Sequence, residues 1–290
     1  MSQKPVPASA TDTPFDIERS LSVVDDMLAE ARRLGASAAE AGVSVEAGLS
    51  VNVRLGEVDT LEHNRDKGLG ITVYVGKRKG SASTSDFSSK AIRETVQAAC
   101  DIARYTEEDE YAGLADAELM ATEIPDLDLY HPWKLSAEQA IELAQTCEAS
   151  GRDSDSPISN SEGASVSSHD ALRVYGNSHS FRGHNLSSRH SLSCTLIGQD
   201  DAGMQRDYWY SVSRNPGGLE SAETVGHKAA ERTVARLGAR RLKTCQVPVI
   251  FQAEIARGLL SHLLRGLSGG SLYRKASFLL DQLGKQIFPT

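Results

Sequence analysis

Residues 49–64, LSVNVRLGEVDTLEHN, place apolar side chains at Leu49, Val51, Val53 and Leu55 with polar ones between them. A period of two puts the apolar set on one face of an extended chain, so the stretch predicts a β-strand with one face buried. Gly56 is the natural turn point. Residues 70–84, GITVYVGKRKGSAST, then offer a second strand and a third one about Gly76.

Helical signals flank this β region. Thr13 is placed to cap a first helix, with Pro14 in its first turn and Asp16 three residues after the cap. Ile17, Leu21, Val24, Leu28 and Ala31 follow at helical spacing, and Gly35 stops the run. A second helix is predicted over Ser89–Tyr105, with Ile92, Val96, Ala99 and Ala103 on one face. Residues 107–133 lack periodicity and read as a long surface excursion. Ser136 and Gln139 form a capping-box pair for a third helix ending near Ser150. Residues 157–214 are rich in Ser, His, Thr, Tyr and Val, and predict a run of antiparallel strands. A fourth helix spans residues 221–237 with Gly238 as its cap. VPVIF, residues 247–251, reads as a short buried strand, and another helix follows it. Strands and helices in segregated runs predict an α+β fold, with antiparallel strands and helices packed together over residues 14–240. Residues 1–13 read as a disordered tail.

The totals narrow the function classes. At 290 residues, 40% apolar and 24% charged, the chain is an ordinary globular protein able to bury a core. A net charge of −8 argues against direct nucleic-acid binding. Arg236, Arg240, Arg241 and Lys243 make a small basic cluster that reads as a solvated helix end. Cys100, Cys147, Cys194 and Cys245 form no CxxC pair, which fits neither a disulfide framework nor a structural zinc site. Reduced thiols, the lack of an apolar run of about 18 residues and the polar N-terminus predict a cytoplasmic protein without membrane contact.

No motif completes a catalytic site. In LLSHLLRGLSGG, residues 259–270, His262 is followed by Leu263, and the position four residues on is Gly266. A His-Glu-x-x-His helix needs a second imidazole and a carboxylate base there. His184 and His190 can share a strand face and His179 would face away, but histidines spread along a strand do not converge on a metal. GLSGGS, residues 266–271, follows a helix, which suits a tight exit turn better than a phosphate cradle. No G-x-S-x-G elbow is present. Glu107, Glu108, Asp109 and Glu110 lack the alternating ligands of a calcium loop.

Six stretches together resemble the TldD/PmbA family, described as modulators of DNA gyrase and as metallopeptidases, and within it the PmbA (TldE) branch. They are residues 68–105, PDLDLYHPW (125–133), NSEGASVSS (160–168), YGNSHSF (175–181), SRHSLSC (188–194) and residues 248–287. In the TldD branch the corresponding helix carries His-Glu-x-x-x-His. The resemblance places Ser261 at the first histidine, His262 at the glutamate and Gly266 at the second histidine. It therefore implies a chain with no zinc or other cofactor of its own and no catalytic or metal residue on that helix. Zinc is expected in a TldD-type partner subunit, and Ser261, His262, Arg265 and Gly266 are expected to face a channel or that partner. The implied substrates are unfolded peptides, such as peptide-antibiotic precursors and labile antitoxins, with gyrase affected indirectly. Family members are longer, so residues 241–290 are expected to begin a mostly β C-terminal domain that is cut short. That predicts an unpaired strand edge and exposed apolar surface around Phe278, Leu279 and Leu280. The alternatives are a stand-alone peptidase with a non-standard site and a pure protein-interaction module.

Overall fold

The computed structural model describes residues 13–288, so the N-terminal tail predicted at 1–13 lies, but for Thr13, outside the described residues. Contacts divide the chain into two units, residues 1–239 and 240–290. The first is built on six antiparallel strands in the order β3-β2-β1-β4-β5-β6. These are β1 (Ala38–Arg54), β2 (Glu57–Val75), β3 (Arg78–Thr84), β4 (Ile158–Asn177), β5 (Arg182–Asp200) and β6 (Gly203–Ser213). The two segments quoted above, DTLEH and GITVYV, run into one 19-residue strand, β2. Leu55 (φ 54°) and Gly56 (φ 82°) form the two-residue turn between β1 and β2. Positive φ at both central residues matches the turn to the twist of the strands, and glycine adopts it without a Cβ clash.

Four helices lie on one face of this sheet: α1 (Ile17–Arg33), α2 (Ser89–Tyr105), α3 (Ala137–Arg152) and α4 (Ala222–Ala235). Odd-numbered residues of β1 face them. Ala41 and Val43 join Val24, Met27 and Val96 in one core cluster under α1 and α2. Val51 and Val53 join Ala144, Cys147 and Val225 in a second cluster under α3 and α4. Each fully buried Val or Met in these clusters is worth about 1.5–3 kcal/mol of transfer free energy. Where α3 meets α4 the backbones touch, because a Cβ on Gly226 would strike the Cys147 carbonyl.

The helix ends follow capping chemistry, with one correction. Asp16, not Thr13, caps α1, its carboxylate accepting from the Arg19 amide at 2.9 Å. Thr13 instead accepts from Phe15 N–H, one step too early for the helix. The Ser136–Gln139 capping box of α3 is formed in both directions. Within α3, Glu148 is only 1% exposed. Its two carboxylate oxygens accept from the Leu55 and Gly56 amides, each at 2.8 Å, and so tie the helix to the β1–β2 turn. Past α4, Gly238 takes φ 68° and donates its N–H to Asp200 at 2.8 Å.

The connector before α3 is the surface excursion its composition predicts as far as residue 128. It holds one 3₁₀ turn, Ala117–Leu119, and its last residues dock on the sheet. Ser188 N–H donates to the Leu129 carbonyl at 2.9 Å, and His131 N–H donates to Ser188 Oγ at 2.8 Å.

In the second unit the described regular elements are helices, α5 (Ala253–Leu267) and α6 (Gly269–Tyr273). The strand predicted for VPVIF does not form: Val247, Val249, Ile250 and Phe251 are exposed and pair with no strand. A strand gains its hydrogen bonds only from a neighbour, and this segment pairs with none among the described residues. The predicted strand edge near residue 280 is likewise a series of turns. Phe278 is exposed as expected, whereas Leu279 is buried against Gly266.

Candidate functional site

The helices of the first unit leave the other face of the sheet open. The side chains there are the even-numbered residues of β1 and β2 and the odd-numbered residues of β4, and they are small or polar. Gly42 pairs with Gly70, and Ser44 pairs with Gly68, so the floor between β1 and β2 carries almost no side chain. Three hollows of about 360, 680 and 210 Å³ follow this floor. The first two share Gly42, Gly70 and Tyr175, and the last two share Ser44, Gly68 and Arg173, so they form one trough along β1.

Glu40 closes one end. Its carboxylate accepts from Tyr74 at 3.2 Å and from Tyr175 at 2.9 Å. Burial, with the Glu40 charge adding, pushes Tyr74 up to about 12, and burial raises Tyr175 as well. Both phenols therefore stay protonated and act as donors at neutral pH.

Glu46 lines the other end and Gly48 and Ser50 follow it on β1, with His169 of β4 directly opposite Gly48. A Cβ on Gly48 would collide with the His169 ring, so glycine is what lets the imidazole lie flat across β1. The ring presents Nε2 to Ser50 Oγ at 3.2 Å and Nδ1 to Glu46 Oε1 at 3.3 Å. Next to it Asn52 donates to Ser165 at 2.7 Å, and the Ser167 and Ser191 hydroxyls are 2.7 Å apart.

A second Ser–His pair lies on the helix face and is wired differently. Fully buried His190 places Nε2 2.9 Å from the His131 carbonyl and Nδ1 3.0 Å from Ser168 Oγ. A carbonyl only accepts, so Nε2 carries the proton and Nδ1 accepts from Ser168. Trp133 meets the ring edge-on at 5.5 Å. His190 thus pins the connector to the sheet and has no free nitrogen for chemistry. Beside it, burial pushes the Asp170 carboxyl up, with His190 and His169 partly offsetting the shift, and its Oδ1 is buried without a hydrogen bond.

Ser261, His262 and Arg265 are exposed on α5, and Ser261 Oγ donates to the Arg257 carbonyl at 3.2 Å. Gly266 is buried, and a Cβ there would press on Phe278 at 2.9 Å. This donor set does not fit a zinc ion: Gly266 offers no ligand atom, and no three His, Cys, Asp or Glu side chains converge among the described residues. His179 sits in the β4–β5 turn, His184 is exposed on β5 and His190 is buried, so the three are not brought together. Cys100, Cys147 and Cys194 are buried free thiols and Cys245 is exposed. A hydrogen bond to Cys194 and burial push the Cys147 thiol up, away from nucleophilic character. No described helix is long and apolar enough to cross a membrane. The Ser50–His169–Glu46 grouping and the Glu148 clamp escaped the sequence reading, since neither has a local motif.

An α+β unit with one bare, glycine-floored sheet face, followed by a small helical unit, is the class of protein this architecture defines. Comparison with known proteins gives the family. Residues 39–103, 130–237 and 244–290 match the models of the PmbA/TldA metallopeptidase domain 1, central domain and C-terminal domain, respectively. The chain is 47% identical to Metalloprotease PmbA of Escherichia coli O157:H7 over 276 residues, covering 94% of this chain and 61% of that protein. It is 48% identical to a Metalloprotease PmbA homolog of Haemophilus influenzae over 259 residues, covering 89% of this chain and 57% of that protein. A crystal structure of a proposed modulator of DNA gyrase from Bacteroides thetaiotaomicron superposes with TM-score 0.83 at 25% identity, covering 92% of this chain and 61% of that one. TldE from Thermococcus kodakarensis shares the fold, with TM-score 0.69 at 16% identity over 90% of this chain and 58% of that one. The chain belongs to the PmbA/TldD family. It spans about 60% of the length of these relatives.

Proposed function

We propose that this chain is a supporting subunit of a PmbA/TldD-type metallopeptidase, working with a TldD-type subunit that supplies the zinc and acting on unfolded peptides in the cytoplasm. The observation that carries this reading is the trough. Its glycine floor lets an extended backbone approach the sheet closely, and its walls offer hydroxyl and phenol groups without an apolar selectivity pocket. That suits a chain held by its backbone with little regard to sequence. The loss of ligand atoms at Ser261 and Gly266 supports a role other than binding the metal. Peptide-antibiotic precursors and labile antitoxins are substrates of this kind, and an effect on gyrase would follow indirectly through such peptides. The exposed α5 side chains His262 and Arg265 are available to a partner or channel.

The test is hydrolysis of an unstructured peptide by a TldD-type partner with and without this chain. The expected result is a rise in rate that saturates with added chain and is weakened by bulky replacement of the floor, as in Gly70→Trp. An unchanged rate, or a rise indifferent to Gly70→Trp, overturns the reading.

A further inference from the structure

We propose that Ser50, His169 and Glu46 form a hydrolytic centre of this chain's own, a metal-independent acyl-transfer site that takes ester acyl groups. This goes beyond the supporting role above and does not depend on it. Glu46 and Ser50 lie four residues apart on β1 and therefore on one face, with Gly48 between them. Register places His169 opposite Gly48, and the missing Cβ brings its ring within reach of both neighbours. A serine, a histidine and a carboxylate within reach of one another are the groups that activate a hydroxyl in acyl transfer, recognised by geometry and not by sequence position.

The wiring supports those roles. An ionised carboxylate only accepts hydrogen bonds, so Glu46 at 3.3 Å favours the tautomer with the proton on Nδ1. That leaves the Nε2 lone pair toward Ser50 Oγ, 3.2 Å away, as a general base requires. Nδ1 is buried and has no well-aligned hydrogen bond at present, which matches the slack geometry of sites awaiting substrate. His190 has the opposite wiring, with Nε2 held by a carbonyl, and lies under the connector. His169 faces the open side, with 24% of its side chain exposed. Ser167 is the cross-strand partner of Ser50. Its hydroxyl, 2.7 Å from Ser191, can donate to the oxyanion while accepting from the Ser191 hydroxyl.

In the reaction, Ser50 Oγ bonds to the acyl carbon as its proton passes to His169 Nε2. The bond from that carbon to the leaving oxygen breaks, and the alcohol departs with the proton from Nε2. Water then adds to the acyl-Ser50 carbon and gives its proton to Nε2. The bond to Ser50 Oγ breaks, Oγ recovers the proton, and the carboxylic acid leaves. The balance is ester plus water to acid plus alcohol.

The test treats the whole chain with a fluorophosphonate probe and, separately, with p-nitrophenyl acetate, both in the presence of a metal chelator. The expected result is a single phosphonylated peptide containing Ser50, with ester turnover that Ser50→Ala abolishes. His169→Gln slows both reactions by at least about 100-fold, the low end of what a positioned base contributes. Circular dichroism and thermal midpoints confirm that each variant is folded, and Glu46→Gln serves as a milder variant that slows labelling while preserving the ring's seat. Absence of the adduct from Ser50, or equal labelling rates in wild type and folded His169→Gln, overturns the proposal. Either outcome leaves partner-stimulated peptide hydrolysis to stand or fall on its own assay.

Discussion

Glu148 should be the single side chain that most firmly ties the second half of the first unit to its leading hairpin. It sits in α3 with 1% exposure and gives both oxygens to the adjacent amides of Leu55 and Gly56 at 2.8 Å. Hydrogen bonds to a charged group are worth about 1.5–3 kcal/mol each, so the pair is worth about 3–6 kcal/mol gross. The two amides lie in an exposed turn and can recover water when the carboxylate is removed. Glu148→Ala should therefore destabilise the protein by about 2–4 kcal/mol, including the cavity left in α3. Glu148→Gln keeps the shape but sets an amide N–H₂ against one backbone N–H, and should lose about 1–3 kcal/mol. Urea unfolding followed by Trp133 and Trp209 fluorescence measures both, and hydrogen exchange at Leu55 and Gly56 localises the effect. A Glu148→Gln midpoint equal to wild type, with exchange at the turn unchanged, would refute the clamp.

Two further expectations each rest on a single buried position. Asp170 ionises with difficulty because burial raises its carboxyl in the folded state. Its charge therefore opposes folding above that raised value, and the penalty fades as pH falls towards the unfolded value of about 4. Asp170→Asn should melt higher than wild type at neutral pH, and the gap should close near pH 4; a gap that widens on acidification contradicts the assignment. Gly226→Ala should force apart α3 and α4, since the added methyl meets the Cys147 backbone, which no rotamer can relieve. The expected loss is about 2 kcal/mol, or roughly 4–8 °C in melting temperature. An unchanged or raised midpoint would show that the helices can separate freely.

The parts of this protein legible in its sequence are those whose causes lie within a few residues. Alternation at Leu49, Val51 and Val53 identified β1, and spacing of Ile92, Val96, Ala99 and Ala103 located α2 at Ser89–Tyr105. Ser136 and Gln139 announced the start of α3 because a capping box is a local exchange of hydrogen bonds. Local signals also misled. Thr13 looked like a cap but lies too far from α1, and VPVIF looked like a strand though pairing requires a neighbour absent from its own segment.

What only the tertiary structure decided is the meeting of residues far apart in the chain. Glu148 reads as one more helix carboxylate until α3 carries it 93 positions back to the Leu55 amide. Ser50 and His169, 119 positions apart, share a site only because β1 and β4 pair in the register that sets a glycine under the imidazole. A shift of one residue would turn His169 to the opposite face of the sheet. The sequence determines which faces are apolar through short-range periodicity. The register between distant strands comes from the packing of the whole sheet under its four helices, and with it the choice of which polar groups touch.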